Sequence, residues 1–233
     1  MIPTIEENDL GFTDLWCKRI QLECGTVFIN QELPNDIFFD KLTKITCTSE
    51  KMLDEAASLF HKYGMRPFVY CLDYPELEDL LRRKNFILYD IQHVLVKKIL
   101  PVTKPEVHKV SQGDSMLWAK IFCQAYDCPE WLNVVDCIVK NSLKSADYIV
   151  DESNSSCMAL YQKNLVMGLY CLGTVPARRN QGLASSLIDF ALQEVGQRKL
   201  EFLMLETYEK DNLLDFYVKL GFEKLYQKSI YTI

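Results

Sequence analysis

The sequence contains no Cys-x-x-Cys pair, and its three histidines, His61, His93 and His108, stand far apart. Structural and catalytic zinc sites draw on closely spaced Cys and His ligands, so no metal is expected. No run of about 18 apolar residues occurs, which excludes a membrane-spanning helix from the expectations. Basic residues are not in excess: 26 Lys and Arg stand against 32 Asp and Glu, a formal net charge of −6. Nucleic-acid binding is driven by neutralising phosphates with Lys and Arg, and this balance argues against it. An acidic balance suits a cationic substrate, or solubility alone. The opening "MIPTIEENDLGFTDLWCKRI" has neither a basic start nor an apolar run of signal length. The expectation is therefore a soluble, cytoplasmic protein.

What is present is ordinary globular material. The 233 residues are 48% hydrophobic and 25% charged, enough for one large domain or two small ones. Nine cysteines, an odd number, read as small buried hydrophobes in a reducing compartment.

Along the chain, the segment up to Gly25 is weakly patterned. "TVFIN" and "IFFDKLTKI" read as strands around the turn-like "ELPND". Ser49 is placed to cap a helix with Met52, Ala56, Leu59, Phe60 and Tyr63 on one face, ended by Gly64. "PFVYC", a short helix opened by Pro75, and "HVLVKKIL" follow. "PVTKP" (Pro101–Pro105) carries two prolines and no periodicity, which places a domain boundary there. Beyond it come a strand, helices over Ser115–Tyr126 and Trp131–Leu143, and a strand over Asp147–Val150. Two antiparallel strands then turn at Lys163–Asn164. A helix over Leu183–Val195, the strand "FLMLET", a helix ending at Gly221 and a last strand "SIYTI" complete the order. Sliding the C-terminal end back onto "PFVYCLDYPELEDLLRRKNF" sets Phe222 on Phe86, Leu213 on Leu77 and Asp215 on Asp79. The matching order of elements suggests an internal repeat.

One junction carries chemistry. "LYCLGTVPARRNQGLASSLIDFALQEV" runs from a strand through Pro176 into two arginines, a glycine and a helix. The first turn of a helix offers backbone N–H groups with no internal partner, and its dipole favours an anion. Arg179, Gly182 and the small Ala184 suit a pyrophosphate brought close to main chain. A tight turn with solvated arginines is the plainer reading of the same residues.

The chain here resembles the GNAT superfamily of acyl-CoA-dependent N-acyltransferases. Pro176 and Arg179 match the start of that family's CoA-binding motif, and Tyr217, Leu220, Gly221 and Phe222 match its Tyr-x-x-Leu-Gly-Phe segment. The resemblance runs from about Glu106 to Ile233. It implies an α/β fold with a mixed sheet, a catalytic domain over 101–233, and a smaller, degenerate GNAT-like domain over 1–100. The first half has no Arg-x-x-Gly-x-Ala equivalent and is not expected to bind CoA.

The resemblance further implies a splayed strand, Leu169–Val175, whose Leu172, Thr174 and Val175 main chain would contact pantetheine. Backbone amides of Arg179, Asn180, Gln181, Gly182, Leu183 and Ala184 would hold the pyrophosphate. Tyr217 would protonate the departing thiolate, and Glu206 or Tyr170 are candidates for the base, as is a water chain. The implied co-substrates are acetyl-CoA and a primary amine, on a small molecule or on a protein or peptide. An idle acyl-CoA-binding sensor or interaction module is the alternative. Two departures from the family pattern stand out: Lys210 where an Asn is frequent, with Asn212 nearby, and Asn180 where Gly is frequent after the arginine.

Overall fold

The computed structural model describes residues 1–98 and 105–233. In chain order it begins with helix α1 (Ile2–Trp16), the strands β1 (Lys18–Leu22), β2 (Gly25–Ile29) and β3 (Lys41–Thr43), and helix α2 (Glu50–Lys62). Strand β4 (Phe68–Cys71), helix α3 (Pro75–Arg83) and strand β5 (Ile87–Lys98) follow. Strand β6 (Val107–Lys109), helices α4 (Ser115–Tyr126) and α5 (Leu132–Ser142), and strands β7 (Asp147–Asp151), β8 (Ser156–Lys163) and β9 (Val166–Thr174) come next. The chain closes with α6 (Leu183–Gln197), β10 (Phe202–Tyr208), α7 (Leu214–Lys219) and β11 (Glu223–Thr232). This is a mixed α/β architecture.

Two compact units share these elements. The motif unit comprises Met1–Leu15, Leu95–Glu206 and Leu220–Glu223; the companion unit comprises Trp16–Val94, Thr207–Lys219 and Lys224–Ile233. They are interleaved along the chain, unlike the consecutive domains read from the sequence, because β11 pairs antiparallel with β4, setting Ile230 opposite Tyr70. Of the boundary expected at Pro101–Pro105, residues 101–104 lie outside the described residues.

In the motif unit the strands lie in the order β10-β9-β8-β7-β6. β9 and β10 are parallel, and the other pairs are antiparallel. Helices cover both faces. Trp118 of α4 meets the Tyr148 ring edge-on, while Arg198, just after α6, bonds the neighbouring Asp147. Adjacent strand residues point to opposite faces, so α4 and α6 lie on opposite sides. Helix α1 shares the α4 side: Phe12 stacks on Tyr170 at 4.0 Å, and Asn8 Nδ2 donates to the carbonyls of Tyr161 and Val166.

Helix α1 was not legible as a helix. Glu6, Asn8, Asp9 and Thr13 are buried beside Ile5, Leu10, Phe12 and Trp16, so burial follows no apolar stripe.

In the companion unit the strands run β1-β2-β3-β4-β11-β5. One face packs on α2 and α3 through Leu42, Val69, Met52, Phe60, Leu77 and Leu81. Helix α2 forms as its sequence indicates: Ser49 Oγ accepts from Met52 N–H at 3.2 Å, and Gly64 follows the helix with φ +68°. The strand expected over Ile37–Ile45 shrinks to Lys41–Thr43. Asp36 Oδ1 accepts from the N–H groups of Phe38 and Phe39, an Asx turn that holds this backbone out of the ladder. Cys24 and Cys47 are joined by a disulfide with Cα atoms 5.5 Å apart, so the expectation of nine free thiols does not hold.

The internal repeat has a structural counterpart. Helix α2 connects the parallel pair β3 and β4, and α6 connects the parallel pair β9 and β10. Each is followed by a short helix and a long strand.

Candidate functional site

Strand β9 is irregular where the sequence motif begins. Ala159 pairs with Tyr170 and Cys157 with Gly173, so β9 carries one residue more than β8 over this stretch. Cys171 takes the surplus with φ +53°, a left-handed β-bulge on a non-glycine residue. On the other edge, the parallel ladder with β10 runs from Val166↔Phe202 to Leu169↔Leu205. Past that pair β9 continues to Thr174 and β10 continues at Glu206, with no further pair in register. The two strands part where the bulge twists β9.

Val175 N–H donates to Ser155 O at 2.9 Å, toward β8. Successive residues turn their main-chain groups to opposite edges, so Leu172 and Thr174 present theirs to the edge where the ladder has ended. Both carbonyls are engaged by side chains: Tyr126 Oη donates to Leu172 O at 3.0 Å, and Arg179 Nε donates to Thr174 O at 3.2 Å. Thr174 is also held by its hydroxyl, 2.9 Å from Ser156 Oγ.

Beyond Thr174 a single 3-10 turn over Pro176–Arg178 leads to Asn180 at φ +62° and Gly182 at φ +80°. Gly182 is the N-cap of α6 and supplies no side chain to its first turn. A Cβ at Gly182 would meet nothing within 4 Å, so its left-handed φ, and not crowding, calls for glycine. Two arginines shape the loop. Arg179 Nη2 donates to Ala125 O at 2.9 Å, and Arg178 Nε donates to Gln181 Oε1 at 2.9 Å. Thus Arg179 braces the loop between the ends of β9 and α4, and Gln181 is oriented by Arg178. Leu183 and Ala184, half-buried, open the helix, whose first N–H groups point out of its end.

The corresponding end of α2 is built differently. Ser49 caps it and Glu50 places a negative charge in its first turn. An anion there would meet an occupied donor and a carboxylate.

The remaining candidates fall as follows. Glu206 is the first β10 residue past the last ladder pair, half-buried. Met204 lies beneath the Tyr170 hydroxyl, and two residues on, Glu206 projects to that same face. Tyr170 Oη donates to Asn8 Oδ1 at 2.7 Å inside the core, which makes its ring a structural piece. Tyr217, on α7 in the companion unit, is 6% exposed. Burial, and then the Asp211 carboxylate, push its phenol above the ordinary value. Lys210 lies over the Tyr89 ring at 3.5 Å, and its N–H donates to Asp90 Oδ1 at 3.3 Å. Asn212 ends the preceding turn at φ +55°, its Nδ2 donating to Lys210 O at 3.1 Å.

Sequence reasoning missed Asn8, Ala125, Tyr126, Ser156 and Cys171, which lie far from the motif in sequence or act through main chain. Only the exposed Tyr126, near the end of an apolar helix, left any signal.

The family model of the GNAT acetyltransferases matches residues 145–222, the stretch from β7 through the segment after α7. Over residues 145–222 the chain is thus similar to the GNAT acetyltransferases. The matched segment contains the bulge, the parted strands, the Gly182 turn and Tyr217. Among solved structures, the chain is similar to a GCN5-related N-acetyltransferase from Kribbella flavida, with TM-score 0.71, 13% identity, and coverage of 98% of this chain and 93% of that one. A tandem GNAT protein of the clavulanic acid biosynthesis pathway gives TM-score 0.62 at 8% identity, covering 98% and 95%. A GCN5-related N-acetyltransferase from Sphaerobacter thermophilus gives 0.63 at 10% identity, covering 78% of this chain and 66% of that one. These likenesses concern the fold. No curated protein sequence matches the chain.

Proposed function

We propose that the protein is an acetyl-CoA-dependent N-acetyltransferase whose acceptor is a primary amine. The observation that carries this reading is the end of the β9–β10 ladder at Leu169↔Leu205, beside a helix that starts at an uncapped, left-handed Gly182. An extended amide chain can pair with the β9 edge at Leu172 and Thr174. A diphosphate can lie on the amides from Arg179 to Ala184. An N–H near Thr174 is suited to polarise a thioester carbonyl.

The reaction is attack of a neutral amine on the thioester. The C–N bond forms, the C–S bond breaks, and the amine proton leaves to a base. Glu206 is proposed for that proton, directly or through water. Tyr217 is proposed to stabilise the departing thiolate. Because its phenol is raised, Tyr217 stays protonated and acts as a hydrogen-bond donor more readily than as a full proton donor. That same feature favours a second reading, an acyl-CoA-binding module without turnover.

Calorimetry with coenzyme A tests the binding reading; no heat of association removes it. An amine panel with acetyl-CoA, followed by thiol release and product mass, decides between the two. No thiol release with any amine favours the idle module, and thiol release without acylated product, which is hydrolysis of the thioester, supports neither reading.

A further inference from the structure

We propose that Cys123 and Cys128 form a dithiol that a small hydroperoxide closes to a disulfide, in a ring that contains Ala125 and Tyr126. Helix α4 ends with Asp127 in the left-handed conformation, φ 55° and ψ 47°, and both Asp127 and Cys128 donate their N–H groups to Cys123 O. The Cys128 bond measures 3.0 Å. This is a Schellman end, which brings the side chains three residues inside the helix and just past it against each other. In most helices the two are apolar. Here both are thiols.

The spacing suits a disulfide. A 3.0 Å bond from Cys128 N to Cys123 O, with ordinary bond lengths added at each end, keeps the two Cα atoms within about 7 Å, the upper edge of disulfide geometry. The Cys128 thiol hydrogen-bonds the Cys123 sulfur. That bond lowers the Cys123 thiol below its ordinary range and favours the reactive thiolate. Its neighbour Cys157 is pushed the other way by full burial. Cys123 and Cys128 are 4% and 5% exposed, and the oxidant proposed is accordingly a small one.

The chemistry balances. The Cys123 thiolate attacks the peroxide oxygen, breaking the O–O bond to give a sulfenic acid and hydroxide. Cys128 then attacks that sulfur, forming the S–S bond and expelling the sulfenic oxygen as water. Two thiols and one hydrogen peroxide become one disulfide and two waters.

The ring matters because of what lies inside it. Ala125 O receives Arg179, and Tyr126 Oη grips Leu172 O, so this turn holds both the phosphate loop and the open edge of β9. Closure staples the turn in the conformation it already has, and the grip persists. The covalent step does not rest on the acetyltransferase reading; only the CoA arm below does.

The test treats the thiol-reduced full-length protein with equimolar hydrogen peroxide, alkylates remaining thiols, and maps the peptides by mass. The expected product is a Cys123–Cys128 linked peptide lighter by two hydrogens, reopened by dithiothreitol, while the exposed Cys137 stays alkylated. Cys128→Ser should abolish the link and leave Cys123 as sulfenic acid or beyond. No linked peptide in the wild-type protein, or linkage of Cys123 to Cys157, overturns the proposal, and that readout needs no variant to fold. Calorimetry with coenzyme A should give the same affinity for both forms. A loss confined to the oxidised form overturns the persistent grip. Absence of binding in both forms would count against the acetyltransferase reading, while the peptide map still decides the dithiol.

Discussion

Arg179 reaches back across the loop it begins and donates to the carbonyl of Ala125 at 2.9 Å, while its Nε holds Thr174 O at 3.2 Å. The motif arginine is thus spent on main chain, tying the end of β9 to the end of α4. Under the proposed function, its part in coenzyme A binding runs through the shape of the loop.

Arg179→Ala is therefore expected to weaken coenzyme A binding by about tenfold, the worth of one charge-assisted bond at a partly exposed site. Arg179→Lys should fare no better, because an ammonium cannot span two carbonyls in a fixed fork. Calorimetry at constant salt measures both. Full affinity in the lysine variant would mean that charge alone matters.

Gly182 is needed for its φ of +80° and not for room. Gly182→Ala should cost roughly 1–2 kcal/mol of folding stability, and Gly182→Asn less, since Asn tolerates the left-handed region. Thermal melting ranks the pair. If a diphosphate also lies on this turn, both variants lose coenzyme A affinity alike, since either adds a Cβ.

Tyr217→Phe is expected to lower kcat on the order of a hundredfold while leaving KM for acetyl-CoA unchanged. Burial raises the phenol, so the wild-type profile should show no basic limb from Tyr217 below pH 10. The stability that Tyr217 contributes is present below its unfolded value and is lost as the pH rises beyond it. Steady-state rates across pH check the first two expectations.

Asp40 is fully buried in the companion unit, its Oδ1 accepting from Asn30 N–H at 2.8 Å and its Oδ2 without a partner. Burial pushes its carboxyl up to about 7, with the Asp36 charge adding to the rise. A group raised on folding stabilises below its unfolded pKa and loses that contribution as pH climbs through the folded one. Asp40→Asn should accordingly melt higher than wild type at pH 8 and gain nothing at pH 4. Parallel melting curves for the two proteins from pH 4 to 8 would contradict this.

Much of the local structure around the candidate site, and elsewhere in the chain, was legible in the sequence. The cap at Ser49, the limits of α4, the β8–β9 pair and the Gly182 turn all rest on neighbours a few residues apart, where side-chain chemistry acts directly on backbone. Tyr126 and Asn8 were not legible as site residues, since their partners Leu172 and Tyr170 lie far along the chain. The Cys24–Cys47 disulfide escaped for the same reason. Strand β3 came out short because Asp36 captured two amides that a propensity reading would have given to the ladder.

By itself, then, the order of residues determined the helices with clear stripes, the glycine turn after Pro176, and the pairing of that turn with Tyr-x-x-Leu-Gly-Phe. Tertiary structure alone decided where β9 parts from β10, which carbonyls Arg179 grips, and that the final strand joins β4. Local preferences are set by sterics within a turn or two. The edge a strand leaves open depends on which distant segments compete to pair with it.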